Sequence, residues 1–265
     1  MMKLNLARLV LTGGCLAAVF CVQMLNPGLV QPLGAADAKY GTLTGQFVLD
    51  GAVPSLKALV TKGDPAVRDA AICSADTVPD DSLVVNPTSK GIANIFVYIK
   101  KAKDVHPSLK TPASPTVDFD QKGCRFFPHA LFVRTNQTVK VLSDDAIAHN
   151  THTFPLRNQA ANTAIKPKER VGVPYSNPIT ESLPMEVKCD FHPWMKAYWL
   201  VLDHPYAAVT DKDGKFTIEN LPAGEHEFVV WQEKSGYVER KLKVDVKGGS
   251  TTNLGAVKVP VAKFK

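Results

Sequence analysis

The chain has 265 residues, of which 45% are hydrophobic, 21% charged and 8% aromatic. These fractions exclude an intrinsically disordered, collagen-like or coiled-coil protein and predict a globular chain with one large or two small domains. Lys and Arg outnumber Asp and Glu by 31 to 25, for a net charge of +6. The basic residues form no long run, so nucleic acid is not an expected partner.

Residues 1–38 are predicted to be a secretory signal peptide. Basic residues precede the apolar run Leu9–Leu25, and small residues follow it, with cleavage expected after Ala36 or Ala38. The alternative is a retained membrane anchor, but this run contains Gly and Gln and is short for a membrane span. We therefore expect a periplasmic or secreted protein with no membrane span after cleavage.

The remainder of the chain predicts an all-β protein built of sandwiches or barrels, because short β-branched runs alternate with turn signals. A short helix is expected within Leu56–Ala71, and Lys103–Pro115 and Asn158–Asn177 are expected to be connections. The predicted strands are Gly41–Leu49, Ile92–Ile99, Val117–Phe119, Ala130–Arg134, Thr138–Leu142, Met185–Cys189, Ala197–Leu202, Lys215–Ile218, Glu227–Trp231, Val238–Val246 and Leu254–Val259.

Three cysteines remain after signal cleavage, namely Cys73, Cys124 and Cys189. In an oxidising compartment, an odd number leaves one thiol with a role other than pairing. The neighbours of each cysteine indicate which one this is.

A loop between two predicted strands contains three metal-binding side chains at spacings of three, Cys189, His192 and Met195. A thiolate, an imidazole and a thioether together suit copper. A trigonal copper site needs a second imidazole. His149 or His152, which follow another predicted strand, can supply it.

The loop resembles that of the cupredoxins, and the amicyanin and plastocyanin-like blue copper proteins most closely. Their ligand loop has the pattern Cys-x-x-His-Pro-aromatic-Met, which residues 189–195 match throughout. Residues 148–152, Ala-His-Asn-Thr-His, are similar to the Pro-His-Asn-x-His segment of that family, with Ala in place of Pro. The chain also resembles a group of secreted bacterial proteins described as methylamine-utilisation proteins.

This resemblance implies a cupredoxin Greek-key sandwich with one type 1 copper ion. His149, Cys189 and His192 would be the equatorial ligands and Met195 the weak axial ligand. His152 would be a neighbour of the site or an alternative ligand. A dinuclear copper centre is not expected, because it needs a second cysteine in the loop.

Zinc is the main alternative metal. His149 with His152, and Cys189 with His192, are two pairs at structural-zinc spacing. That reading leaves Met195 unexplained. A degenerate fold that has lost its metal, or that keeps one only for structural support, is a further alternative.

With Cys189 assigned to the metal, Cys73 and Cys124 are free to form a disulfide. It would close a loop of about fifty residues and stabilise the fold by roughly 3–4 kcal/mol in the chain-entropy model. The alternative is a pair of buried thiols.

The C-terminal part, residues 206–265, resembles the second half of a carboxypeptidase-regulatory-like module, a small sandwich with a transthyretin-like fold. Its first half would lie in residues 39–115, where residues 40–48 and 93–99 are similar to the usual opening strands. The cupredoxin domain, residues 116–203, would then be inserted into a sandwich that is split in sequence.

The expected function is electron transfer, not catalysis, because the ligand set leaves little room for substrate at the metal. A c-type cytochrome or a periplasmic dehydrogenase is the expected redox partner. We expect His192 to be the ligand nearest solvent, with Pro193 and Trp194 forming an apolar docking patch. The alternatives are a copper-delivery protein and a structural binding module.

Overall fold

A computed structural model describes residues 38–264, so the predicted signal peptide lies outside the described residues except for its last one. Apart from one turn of helix, α1 (Ala70–Cys73), and short 3-10 helices at Pro107–Leu109 and Val261–Phe264, the regular structure of this part is β. The strands are β1 (Tyr40–Asp50), β2 (Phe96–Ile99), β3 (Thr116–Gln121), β4 (Phe126–Phe127), β5 (Ala130–Arg134), β6 (Thr138–Val141), β7 (His149–Phe154), β8 (Asn162–Ile165), β9 (Val173–Ser176), β10 (Met185–Lys188), β11 (Lys196–Leu202), β12 (Ala207–Val209), β13 (Lys215–Pro222), β14 (Gly224–Gln232), β15 (Gly236–Val246) and β16 (Thr251–Pro260). The all-β prediction is confirmed.

Strands from both ends of the described chain form one sandwich, which we call the split sandwich. One sheet has the order β13-β1-β16 and the other β12-β2-β14-β15. In β1, alternate residues such as Leu43, Phe47 and Leu49 are buried, and they pack against Val97 and Phe228 of the other sheet. This period-2 burial is what one buried sheet face requires.

The strands between these two halves form a second sandwich, which we call the inserted sandwich. Its sheets have the orders β5-β11-β10-β7-β8 and β4-β3-β6-β9. Trp199 of β11 is fully buried at the centre, with its ring edge-on to Phe119 at a centroid distance of 4.9 Å and to Tyr175 at 5.9 Å. Aromatic pairs of this geometry add to the free energy gained from burial alone.

The two sandwiches share an apolar interface. Phe96 and Trp231 on the outer face of the split sandwich pack with Leu200 and Leu202 of β11 in one cluster. β11 is therefore buried on both faces, which agrees with its nearly continuous apolar sequence.

The structure corrects two expectations from the sequence. The helix expected within Leu56–Ala71 is absent over most of that range, where Gly63, Pro65 and the positive φ of 55° at Asp69 interrupt helical geometry; a single turn, α1, begins only at Ala70 and ends at Cys73. The connection expected at Asn158–Asn177 contains two strands, β8 and β9. Both are four-residue strands of mixed polar and apolar sequence at sheet edges, where pairing with the neighbouring strand defines them more than intrinsic propensity does.

Within residues 38–264, no helix has both the length and the apolar character needed to cross a bilayer.

Candidate metal centre

Three buried side chains converge at one end of the inserted sandwich. His149 is the first residue of β7, Cys189 follows β10, and His192 lies in the loop that leads to β11. β7 and β10 are paired, with His152 opposite Lys188, and this pairing brings His149 close to Cys189. A ligand atom from each of the three residues lies within 4.8 Å of the other two. The structure therefore brings together three of the residues that the sequence singled out.

The facing atoms are two imidazole nitrogens and one sulfur. The Nδ1 atoms of His149 and His192 are 3.0 Å apart, and Sγ of Cys189 lies 4.0 Å from the first and 3.6 Å from the second. Metal–nitrogen bonds of about 2.0 Å and metal–sulfur bonds of about 2.3 Å, at ligand–metal–ligand angles of about 95–140°, separate the ligand atoms by roughly 3.0–4.0 Å. The spacing of the three atoms thus fits one shared metal ion.

The second ring nitrogen of each histidine, Nε2, forms a hydrogen bond with a carboxylate. Nε2 of His149 lies 2.9 Å from Oδ2 of Asp145, and Nε2 of His192 lies 3.0 Å from Oδ2 of Asp69. A carboxylate can only accept, so each Nε2 donates and each Nδ1 lone pair is directed at the thiol. If both rings are neutral, the lone pairs of the two Nδ1 atoms face each other and repel. A cation between them, either a proton or a metal ion, removes this repulsion.

Cys189 is set up as a thiolate. Burial raises the pKa of its thiol, but the adjacent imidazoles of His149 and His192, which bear positive charge when protonated, and the backbone N–H of Asn150, which donates at 3.5 Å, outweigh burial and lower this pKa to about 6. Thiolates are the form in which cysteines bind metals. Among the described cysteines, Cys189 is the one without a disulfide partner.

The carboxylate beside His149, Asp145, is held in its charged form. Burial alone would raise its pKa, but hydrogen bonds from His149 and from the backbone N–H groups of Cys124 and Gly123 lower it. For His149, burial favours the neutral ring, but Asp145 and Cys189 outweigh burial and raise its pKa. The pocket therefore stabilises positive charge between a thiolate and a carboxylate.

Met195 closes the short loop from Cys189. Its backbone N–H donates to the carbonyl of His192 at 2.9 Å, and its carbonyl accepts from the N–H of Cys189 at 3.2 Å. The side chain is 1% exposed and belongs to the same apolar cluster as Cys189. Met195 is thus part of the tight turn that carries two of the converging ligands.

His152 does not join the cluster. It lies on the opposite face of β7 from His149, because side chains alternate along a strand and the two positions differ by three. Its ring is partly exposed and contacts the carboxylate of Asp190 at 3.1 Å. Asp190 in turn accepts from the side chains of Asn150 and Asn162. These polar contacts support the loop from outside the metal pocket.

The structure contains a disulfide between Cys73 and Cys124, which are 51 residues apart. Both sulfurs lie within 4.8 Å of a ring nitrogen of His192. Cys124 also lies within the same distance of Asp145 and His149. The disulfide is therefore a neighbour of both histidines.

Solvent access differs from the sequence expectation. His192 is fully buried, since Asp69 covers its outer ring nitrogen, and it is not the solvent-facing ligand that the sequence predicts. Pro193 is exposed, and Trp194 is half-buried with its Nε1–H donating to the carbonyl of Cys124 at 3.1 Å. The ring of Trp194 lies 5.3 Å from that of His192.

Sequence reasoning missed the two carboxylates. Asp145 precedes His149 by four residues and has a weak signal, the polar stretch that ends the preceding strand. Asp69 lies 123 positions from His192 and has none, because only the fold brings them together.

No protein-family profile matches this chain, and no curated protein matches it. Among solved structures, it is similar in part to a copper-containing nitrite reductase from Thermus scotoductus, with 17% identity, a TM-score of 0.31 and coverage of 38% of this chain. The chain spans 27% of that protein's length. It is also similar to a purple cupredoxin from Nitrosopumilus maritimus (18% identity, TM-score 0.25, covering 32% of this chain and 98% of that one). For amicyanin from Paracoccus versutus the values are 13%, 0.29, 40% and 96%. These overlaps are low, and the case for a metal centre stays with the side-chain geometry.

Proposed function

We propose that this protein binds one copper ion as a type 1 site and carries single electrons between redox proteins. His149, Cys189 and His192 are the strong ligands, and Met195 is the weak axial ligand. The observation that carries the proposal is the convergence of two imidazoles and one thiolate, with both imidazoles oriented by carboxylates. Thiolate, imidazole and thioether together suit copper.

The same geometry speaks against structural zinc. Structural zinc sites have four nitrogen or sulfur ligands in a tetrahedron. Here His152 lies outside the cluster, and Cys73 and Cys124 are held in a disulfide instead of being thiolates. In the described part of the chain, three strong ligands therefore converge, His149, Cys189 and His192. The further sulfur in the same loop is the thioether of Met195.

Burial of the ligands favours electron transfer over catalysis. His149 and His192 are completely buried and Cys189 is 1% exposed, so a substrate has no open position at the metal. Bound copper supplies a one-electron couple between its divalent and monovalent states. The rigid sandwich holds the ligands in one arrangement for both states, which keeps reorganisation small. We therefore propose a carrier and not an enzyme.

A partner would dock beside Trp194. The exposed ring of Pro193 and the half-buried indole of Trp194 line a cavity of about 280 Å³. Arg125 and Lys196 also line it, together with Asp80, Asp81 and Glu233, so the cavity offers a partner polar groups of both charges. We propose a periplasmic or secreted location, with a c-type cytochrome or a periplasmic dehydrogenase as partner. The buried Cys73–Cys124 disulfide fits an oxidising compartment.

The proposal is tested by a redox titration of the copper-loaded protein lacking residues 1–38, with a metal-free chelating protein present. We expect reversible one-electron oxidation and reduction with copper retained through repeated cycles. Transfer of copper to the chelating protein in either state would support delivery instead. Binding of zinc in fixed stoichiometry with copper excluded would contradict both functions.

A further inference from the structure

Residues 51–95 connect β1 to β2, and we call them the covering segment because part of this connection lies over the metal-binding loop. The guanidinium of Arg68 lies over the ring of Phe191, with its central carbon 5.0 Å from the ring centroid. The next residue, Asp69, reaches Nε2 of His192 at 3.0 Å. These contacts explain why His192 has no exposed surface.

Asp69 is held in place by its backbone and by the disulfide. It has a left-handed conformation, with φ 55° and ψ 39°, which Asp adopts more readily than most residues. Its carbonyl accepts from the N–H groups of Ile72 and Cys73 at 2.9 Å each. Cys73 is bonded to Cys124, so the turn that carries Asp69 is fastened to the inserted sandwich.

We propose that Asp69 is a positioning residue of the copper centre, supplied by a segment outside the inserted sandwich. It holds the proton of His192 on Nε2, which leaves Nδ1 free for the metal, and its carboxylate, although paired with Arg68 at 3.5 Å, adds negative charge close to the ring that favours the divalent ion. This inference rests on the proposed function, since it concerns the same site.

The charges around the pocket support this role. Asp69 and Asp145 each accept from the Nε2–H of one imidazole, so a carboxylate lies behind each of the two rings, on the side away from Cys189. Carboxylates on the outer nitrogen of a metal-bound histidine fix its tautomer and increase its basicity. A divalent ion gains more than a monovalent ion from this charge, so the reduction potential is lowered.

Two substitutions separate orientation from charge. In Asp69→Asn the amide oxygen can still accept from Nε2–H, but the negative charge is gone. In Asp69→Ala both are lost. Asp76→Asn is the matched control, because Asp76 lies in the same covering segment, is 88% exposed and pairs only with Lys62 among the contacts of the described residues.

The first readout uses metal-free protein and nitrogen-15 NMR. We expect a downfield, exchange-protected Nε2–H resonance for His192 in the wild type, in Asp69→Asn and in Asp76→Asn, and its loss in Asp69→Ala. The second readout is affinity for Co(II), which should fall about 10- to 100-fold in Asp69→Ala and less in Asp69→Asn. If Cu(II) affinity falls tenfold and Cu(I) affinity is unchanged, the reduction potential rises by about 59 mV.

Asp69 variants that match Asp76→Asn in the His192 resonance, in Co(II) affinity and in reduction potential would overturn the inference. If the NMR spectrum shows that Asp69→Ala is unfolded, the reduction potential and the Co(II) affinity of Asp69→Asn test the inference instead. Failure of the proposed function is a different result. A wild-type protein that forms no type 1 copper site would refute electron transfer, while the resonance and the Co(II) affinity would still report on Asp69.

Discussion

Nδ1 of His149 and Nδ1 of His192 lie 3.0 Å apart, although the two residues are 43 positions apart in the chain. Each ring donates its Nε2 proton to a carboxylate, Asp145 for the first and Asp69 for the second. Two imidazoles so oriented present their lone pairs to one point, and the sulfur of Cys189 faces the same point. Such a point is built for a cation, and the donor set indicates which cation.

His149 and His152 differ in role, so exchanging each for alanine should have opposite results. His149→Ala should abolish the thiolate-to-copper absorption band, because it removes one of three strong bonds. His152→Ala should keep the band, since His152 contacts Asp190 on the other face of β7 and affects the loop only indirectly. Visible spectra of both variants with one equivalent of Cu(II) check this. Bleaching in His152→Ala with colour retained in His149→Ala would reverse the assignment.

Met195 should affect the reduction potential more than copper affinity. A long axial bond contributes little to affinity but biases the balance between the two oxidation states. Met195→Leu keeps the buried apolar volume, and we expect it to keep copper and colour while its reduction potential shifts. Potentiometric titration beside the wild type measures the shift. Loss of copper in Met195→Leu, to the same extent as in Cys189→Ser, would indicate a tetrahedral site of the zinc type.

The Cys73–Cys124 disulfide should contribute strongly to stability. It closes a loop of 51 residues, for which the chain-entropy model gives about 4 kcal/mol. We expect the double variant Cys73→Ser/Cys124→Ser to lose about this much free energy of unfolding in a urea titration. Thiol titration of denatured, non-reduced protein lacking residues 1–38 is the control and should find one free thiol, that of Cys189. Three free thiols would show that the disulfide does not form.

Trp194 should affect electron exchange and leave the copper spectrum nearly unchanged. Its ring lies beside His192 and reaches the surface next to Pro193. Trp194→Ala removes the aromatic link without removing a ligand, so oxidation by a soluble c-type cytochrome should slow. Stopped-flow mixing measures the rate. Phe154→Ala is a matched control, because Phe154 is an exposed aromatic residue, 41% accessible, on the face of β7 that carries His152. Equal slowing in both variants would argue against docking at Trp194.

The all-β class and three converging residues could be predicted from the sequence because their signals are local. Buried and partly exposed residues alternate along β1, and the three residues Cys189, His192 and Met195 lie within one loop. The choice between His149 and His152 could not be made from spacing alone. It depends on the phase of β7, and the predicted strands do not include β7. Once β7 is paired with β10, alternation decides which ring faces Cys189.

Other features depend on long-range packing and have no local signal. Asp69 contacts His192 from a turn in which Asp69 is left-handed and Cys73, four residues on, is bonded to Cys124, so the contact joins parts of the chain that are distant in sequence. The burial of His192 follows from the same contact and contradicts the expectation of an exposed ligand. Strands β8 and β9 are four-residue segments of mixed polar and apolar sequence at sheet edges, too short for alternation to identify them. None of these features could be predicted from the residue types in a short stretch of sequence.

The central claim is that His149, Cys189 and His192 hold one type 1 copper ion. Its most direct test is the visible and EPR spectrum of the protein lacking residues 1–38 after addition of one equivalent of Cu(II). We predict an intense thiolate-to-copper charge-transfer band and a narrow copper hyperfine splitting, both absent in Cys189→Ser. A colourless protein with an ordinary tetragonal copper spectrum, unchanged in Cys189→Ser, would contradict the claim.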